Sequence, residues 1–307
     1  MIALEPGFLR GSYPPLVTPF RDGAVDYDAY ARLVELQIAG GSHGIVVAGT
    51  TAEPSTLTLD ERARLLDVAV ETVRGRIPIV AATGGQSHAE TVELCARAER
   101  SGADALLVVT PYYIRPPQRG LVEYFADLGA RTRKPILIYH IPVRAAVTLE
   151  LDTLVQIAKR VPNLVGMKHA ANDLDLVSDA LENLGVEFRI HVGLEALSFP
   201  MLCLGASGMM NAVGNLAPRH VARLYEAVAG GHLEAARALH FELLELNRDL
   251  LRHQPDPAQI HDEAHGIART QRAPPADGPR HARARGAAGW CAAARWAALT
   301  KFVTGDQ

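Results

Sequence analysis

Cysteine is scarce: Cys95, Cys203 and Cys291 are the only three in 307 residues. They stand far apart, with none of the close spacings that hold a structural zinc or a disulfide framework, which points to a reducing compartment and a cytoplasmic protein. Aromatic residues are few, and no apolar run reaches the ~20 residues that a membrane-spanning helix needs. The opening "MIALEPGFLRGSYPP" has no basic segment followed by an apolar one, so no secretory leader is expected. Excess charge of one sign is missing too. Lys and Arg number 31 against 34 Asp and Glu, giving a net charge of −3 interspersed through most of the length. That balance disfavours nucleic acid and anionic membrane as partners and leaves small molecules.

What is present is apolar: 48% of the residues, enough at this length for a large core in either two ordinary domains or one α/β barrel. One unit recurs along the chain. A short apolar or β-branched run is followed by turn residues and then by an amphipathic stretch with helical spacing. The runs are "SYPPLVTPF", "GIVVAGT", "IPIVAATG", "ADALLVVTP", "KPILIYHIP", "NLVGMKH", "FRIHVG" and "GASGMMNAV". Eight βα units predict an α/β fold of the (β/α)₈ TIM-barrel type. A doubly wound open sheet would want a G-x-G-x-x-G loop after an early strand, and "AGTTAEPST" has no such form. No shorter period marks a solenoid. The barrel is expected over residues 1–230, with a C-terminal helical extension starting in 231–251.

Barrel chemistry collects at the strand ends, whose loops form one open face over a packed interior. Those ends supply Thr18; Thr50, Thr51 and Glu53; Tyr112 and Tyr113; Tyr139, His140 and Arg144; Lys168 and His169; Gly193 and Glu195; and Asn211. Hydroxyls dominate the set, and no cluster of carboxylates and imidazoles suggests a metal. Metal-free, cofactor-free chemistry is expected.

"NLVGMKH" places an ammonium at the end of a run built for burial. A lysine there is desolvated, which favours the free amine, and a free amine attacks carbonyls. The resulting iminium withdraws electrons from the neighbouring carbon, so a pyruvate-like substrate becomes acidic at its methyl group. A strand-end lysine can equally snorkel to water. Tyr139, one strand over, could move protons to and from the carbinolamine oxygen, or simply pack with a satisfied hydroxyl. Thr50 and Thr51 could orient a carboxylate, or cap the helix that starts near "TLDER". Arg144 offers a planar fork for a carboxylate, against a surface salt bridge. His43, His140 and His169 read as hydrogen-bonding residues behind the site. Gly193 and Gly208 mark tight turns or close approach of backbone.

"GTTAEPSTLT", "VTPYYIRPP", "YHIPVR", "VGMKH" and "GASGMMNAVGN", in this order from about residue 10 to about residue 250, resemble the dihydrodipicolinate synthase and N-acetylneuraminate lyase family of class I lyases. The resemblance implies Lys168 as the Schiff-base lysine, Tyr139 as proton relay, and Thr50 and Thr51 as carboxylate binders and partners of that relay. It implies that Tyr113 completes a neighbouring subunit's relay across a tight dimer, that Arg144 holds the second substrate's carboxylate, and that Gly193 and Met210 lie at the substrate. Homotetramers built as dimers of dimers are the implied assembly. The implied activity is condensation of pyruvate with aspartate semialdehyde. One alternative is a catabolic aldolase that cleaves a 4-hydroxy-2-oxo acid, such as 2,4-dihydroxyhept-2-enedioate, to pyruvate and an aldehyde. Another is a keto-acid sensor without turnover, which would need Arg144 and Thr50 but not both Lys168 and Tyr139.

This sequence departs from the family pattern in two places. Ala52 stands where "GTTGE" has glycine, and "YHIPVRA" replaces "YNVPGRT", changing His140, Val143 and Ala145. A positive φ at Ala52 or at the β-branched Val143 would be strained. The resemblance ends near Arg252. Residues 252–307 are rich in Ala, Arg, Pro and His and lose apolar periodicity. "RHQPDPAQIHDE", with suitable synonymous codons and moved on by one base, reads "DTNPIPLKYMMK"; "TQRAPPAD" at the same offset reads "RNEHRLPM". Both resemble the family's own C-terminal region, so a shifted reading frame is expected there. Its cost would be exposed apolar surface and lower thermostability.

Overall fold

A computed structural model of the protein describes residues 1–252; residues 253–307, where a shifted reading frame is expected, lie outside the described residues. Eight short parallel strands alternate with helices. They are β1 (Gly11–Ser12), β2 (Ile45–Val47), β3 (Ile79–Ala82), β4 (Ala105–Val109), β5 (Ile136–His140), β6 (Leu164–His169), β7 (Arg189–Val192) and β8 (Gly208–Met209). The helices that follow them in turn are α1 (Tyr27–Ala39), α2 (Leu59–Val73), α3 (His88–Ser101), α4 (Gln118–Arg131), α5 (Leu151–Arg160), α6 (Leu174–Leu184), α7 (Ser198–Cys203) and α8 (Pro218–Ala229). A ninth, α9 (Leu233–Arg252), begins the C-terminal extension.

The sheet runs β1-β8-β7-β6-β5-β4-β3-β2. A parallel bridge between Pro15 and Val46 joins its two edges; Leu16 N donates to Val46 O and Val46 N to Pro14 O. This closure makes the architecture a (β/α)₈ TIM barrel and removes the open-sheet alternative. The first and last strands are shorter than their apolar runs predict. Pro14 and Pro15 have no N–H for a regular ladder. Gly208 belongs to a tight crossing, where a Cβ would meet Gly11 O at 2.1 Å, so β8 and β1 pack backbone to backbone.

The strands read as unbroken apolar runs because both faces are buried. Val46, Val80, Leu107, Leu137 and Val165 fill the interior. Their neighbours Ile45 and Val47, Ile79 and Ala81, Leu106 and Val108, and Ile136 and Ile138 point the other way, under the helices. Each fully buried Val, Leu or Ile contributes about 1.5–3 kcal/mol. Helix α2 starts on a capping box, with Thr58 Oγ1 accepting from Glu61 N and the Glu61 carboxylate accepting from Thr58 N. Among the described residues no helix is long and apolar enough to cross a membrane.

Candidate active site

Side chains alternate across a strand, so the last inward positions of β5, β6 and β7 determine what the mouth of the barrel presents. Tyr139 and Lys168 are paired across β5 and β6, and Lys168 is paired with His191 across β6 and β7. Lys168 is 5% exposed and Tyr139 6%. The lysine does not snorkel to water. Its Nζ lies over the Tyr139 ring, 4.2 Å from the centroid, in cation–π geometry. Tyr139 packs with the interior cluster, which includes Met210, yet its hydroxyl has no hydrogen-bond partner among the described residues. That leaves a phenol free to exchange protons beside an amine.

Gly193 closes this floor on the β7 side. A Cβ there would meet Ala170 Cβ at 2.7 Å and Lys168 Cε at 3.1 Å. The close approach seen at Gly193 is to Ala170 first and then to the lysine stem.

Thr50 and Thr51 sit on a 3₁₀ turn, Thr50–Ala52, directly after β2. Thr50 is exposed and Thr51 half-buried. Neither caps α2, a task taken by Thr58. Ala52 is not strained: it lies within the turn, and the left-handed conformation falls on Glu53 with φ 54°. Thr18 fastens this turn to the loop after β1, its Oγ1 donating to Ala52 O at 2.8 Å. Glu195 has a structural task, its carboxylate accepting from Ala212 N at 2.9 Å and Val213 N at 3.3 Å. Asn211 donates to Ser198 Oγ at 3.1 Å and keeps a buried Oδ1 with no partner among the described residues.

The rim is different. Arg144 is exposed on the helical turn Pro142–Ala145 and has no carboxylate partner among the described residues, so it is not held by a surface salt bridge. Val143, 89% exposed, takes no positive φ; Ala146 takes it instead, with φ 56°. Tyr113 is 81% exposed and left-handed at φ 73°. Non-glycine residues in that conformation cost energy and cluster where function requires them. Its neighbours Tyr112 and Ile114 are exposed as well.

His43, His140 and His169 all form hydrogen bonds. His43 Nδ1 accepts from Ser12 N at 3.3 Å, just before β2 and away from the mouth. His140 and His169 are buried on the outward faces of β5 and β6, Nδ1 to Nδ1 at 3.1 Å. Burial first, then the neighbouring His169, pushes His140 down to about 4; burial also lowers His169.

Strand-end reading passes over two groups. His191 is wholly buried on the inner wall, edge-on to the Tyr13 ring at 5.4 Å. Neither ring nitrogen has a partner among the described residues. Burial, then the positive Arg189 and Lys168, push it down to about 3, so it stays neutral. Thr110, just past β4, has a buried Oγ1 with no partner among the described residues, while its N–H donates to Tyr139 O at 3.2 Å. Strand parity is the available signal for His191, since "FRIHVG" puts it in phase with Gly193. Among the described residues no three His, Cys, Asp or Glu come together as a metal site.

A model of the dihydrodipicolinate synthetase family matches residues 8–276. A 4-hydroxy-tetrahydrodipicolinate synthase of Thermus thermophilus is 46% identical over 240 residues, covering 78% of this chain and 80% of that protein. The crystal structure of dihydrodipicolinate synthase from Aquifex aeolicus has a TM-score of 0.79 at 38% identity, over 83% of this chain and 87% of that one. The 4-hydroxy-tetrahydrodipicolinate synthase of the thermoacidophilic methanotroph Methylacidiphilum fumariolicum SolV has a TM-score of 0.80 at 35% identity, over 96% of both chains. The buried lysine against a tyrosine ring at the mouth of this barrel thus stands in a chain that belongs to the dihydrodipicolinate synthetase family.

Proposed function

We propose that the chain is a lysine Schiff-base lyase of the 4-hydroxy-tetrahydrodipicolinate synthase type, condensing pyruvate with aspartate semialdehyde. The observation that carries this reading is the pair Lys168 and Tyr139, buried together at the inner strand ends with Nζ 4.2 Å from the ring centroid.

The chemistry follows from the pair. Lys168 Nζ adds to C2 of pyruvate, and a proton from the Tyr139 hydroxyl lets the carbinolamine oxygen leave as water. The iminium then draws electrons from C3, which loses a proton to give the enamine. C3 attacks the aldehyde carbon, and the aldehyde oxygen takes up a proton and remains as the 4-hydroxyl. The amino group of the former semialdehyde displaces Lys168 from C2, which closes the ring and frees the amine. Thr50 and Thr51 receive the pyruvate carboxylate, beside Gly193 and Met210. Arg144, a cation with no ion-pair partner among the described residues, takes the carboxylate of the aldehyde.

Tyr113 acts in a neighbouring subunit. Its exposure and left-handed backbone support this, as do the exposed Tyr112 and Ile114 around it: a contiguous apolar patch at a rim suits a second copy of the chain. The assembly proposed is a tetramer built from tight dimers. Cys95 and Cys203 are free thiols, which suits the cytoplasm.

Borohydride reduction in the presence of pyruvate tests the central claim. Mass should be added at Lys168, and an unmodified Lys168 would leave a keto-acid sensor. Repeating the reaction with a panel of aldehydes separates the synthase, which consumes aspartate semialdehyde, from an aldolase that cleaves 4-hydroxy-2-oxo acids.

A further inference from the structure

The residues that follow Tyr139 and Lys168 face outward and meet each other. His140 and His169 are paired in register, and three hydrogen bonds run through them. Leu149 N donates to His140 Nε2 at 3.2 Å. His140 Nδ1 and His169 Nδ1 lie 3.1 Å apart, and His169 Nε2 lies 3.1 Å from Asp173 O.

Only one arrangement of protons satisfies all three. A backbone N–H always donates, so His140 Nε2 carries no proton, and the neutral ring is protonated at Nδ1. That proton must go to His169 Nδ1, which accepts, leaving His169 protonated at Nε2 to donate to the Asp173 carbonyl. The chain has a single sense, from Leu149 through two imidazoles to the residue that caps α6.

Both ends of the Arg144 segment meet at His140. Its helical turn begins with Arg144 N and Ala145 N donating to Ile141 O, one residue past the histidine. Further along the chain, Leu149 returns to dock on the histidine ring. The remaining side-chain anchors come from Arg115 to Ala146 O and from Gln118 to Thr148 O, both at the exposed surface. The imidazoles are the buried ones. In a buried network each lost partner strands the next one. Among the described residues the Arg144 side chain forms no hydrogen bond or ion pair that would fix it, so its position follows that of its backbone.

We propose that His140 and His169 are positioning residues for the second substrate: their one-directional relay seats the Arg144 segment and so sets affinity for the carboxylate-bearing aldehyde. This rests on Arg144 taking the carboxylate of that aldehyde, as the proposed function has it. Neither ring faces the mouth, and neither takes part in forming the Schiff base.

The test uses the full chain and measures KM for aspartate semialdehyde and for pyruvate separately. His169→Phe removes the acceptor while keeping the bulk. It should raise KM for the aldehyde about fivefold, the loss of one buried hydrogen bond, with kcat and KM for pyruvate nearly constant. His169→Asn restores an acceptor at the δ position and should recover most of that loss. Long-range ¹H–¹⁵N spectra of the unsubstituted protein should show His140 protonated at Nδ1 and His169 at Nε2. Two Nε2–H tautomers would overturn the relay without any kinetic measurement, which also covers a variant that fails to fold. A drop in kcat with both KM values moving together in both variants would mean a merely structural role and would overturn the proposal as well. Arg144→Ala is the control. If it raises KM for the aldehyde while His169→Phe does not, the relay fails and the role of Arg144 stands; if Arg144→Ala leaves that KM unchanged, the role of Arg144 fails and the proposal with it.

Discussion

Lys168 and Tyr139, at the floor of the barrel mouth, are 5% and 6% exposed, whereas Tyr113 and Val143, only a few residues past the ends of neighbouring strands, are 81% and 89% exposed. The two regions solve different problems. At the floor, placement comes from the barrel itself: strand register sets Tyr139 beside Lys168, and Gly193 leaves room for the lysine stem. Paired strands are rigid, and groups held on them keep the sub-ångström tolerance that covalent chemistry requires. The rim consists of turns. Its residues adopt left-handed conformations at Tyr113, Arg115 and Ala146, and its cation, Arg144, has no partner within the described chain. Such a rim is open, and in the proposed reading the aldehyde and a second subunit cover it.

Breaking the floor should have the largest effect. Lys168→Ala removes the only amine that the described residues place at the inner strand ends, and condensation should fall by ~10³-fold or more, with no mass added on borohydride trapping. Turnover equal to that of the parent would end the Schiff-base reading. Tyr139→Phe keeps the ring under Nζ and deletes only the hydroxyl. A general acid is worth about 10²–10⁴-fold, so kcat should drop by ~10²-fold while Lys168 still traps pyruvate, only more slowly.

Much of the floor is legible in the amino-acid sequence. Strands buried on both faces read as apolar runs between helical periodicities, which is why eight units can be counted. Lys168 and Tyr139 stand out as polar groups at the ends of such runs. The expectations that go astray concern contacts no single segment contains. "SYPPLVTPF" looks like a strand, yet only its first residue, Ser12, lies in a regular ladder, and beyond it the prolines leave a bridge from Pro15 to Val46. Strain is expected at Ala52 or Val143 if either takes a positive φ, and the chain places that conformation one residue on at Glu53 and three residues on at Ala146. The roles of His140, His169 and His191 depend on which strands are neighbours and on inward or outward parity. Their identity is visible in the sequence; their partners are not.

Tyr113→Phe probes the rim. If the hydroxyl serves a neighbour's relay, the substitution should cost about tenfold in kcat, less than Tyr139→Phe because it removes a second link in the proton path. The sharper form mixes two impaired proteins, Lys168→Ala and Tyr113→Phe, under conditions that exchange subunits. A hybrid dimer holds one site with an intact lysine from one chain and an intact Tyr113 from the other, so activity should rise above that of either parent. No rise on mixing, with exchange verified by mass, would place Tyr113 outside the neighbour's site and leave the rim closed by its own chain.

Acid should act on the floor and the walls behind it before the rim. His140 is pushed down to about 4, chiefly by burial, and His191 to about 3 by burial and then by the positive Arg189 and Lys168; burial lowers His169 too. In the unfolded chain all three take up a proton near 6.5. Between 6.5 and about 4 the unfolded state therefore binds more protons than the folded one, and stability rises with pH across that window. The contribution is fully present above 6.5 and is lost as pH falls toward 4 for His140 and toward 3 for His191. The loss by pH 5 should be on the order of 3 kcal/mol, or a fall in Tm of ~5 °C from its value at pH 7. Replacing His191 by Leu, close in size and unable to take a proton, should flatten part of that slope while leaving the relay pair to titrate. A thermal scan with the same pH dependence in parent and His191→Leu would mean that the buried imidazole beneath Lys168 contributes nothing to the acid sensitivity of the floor.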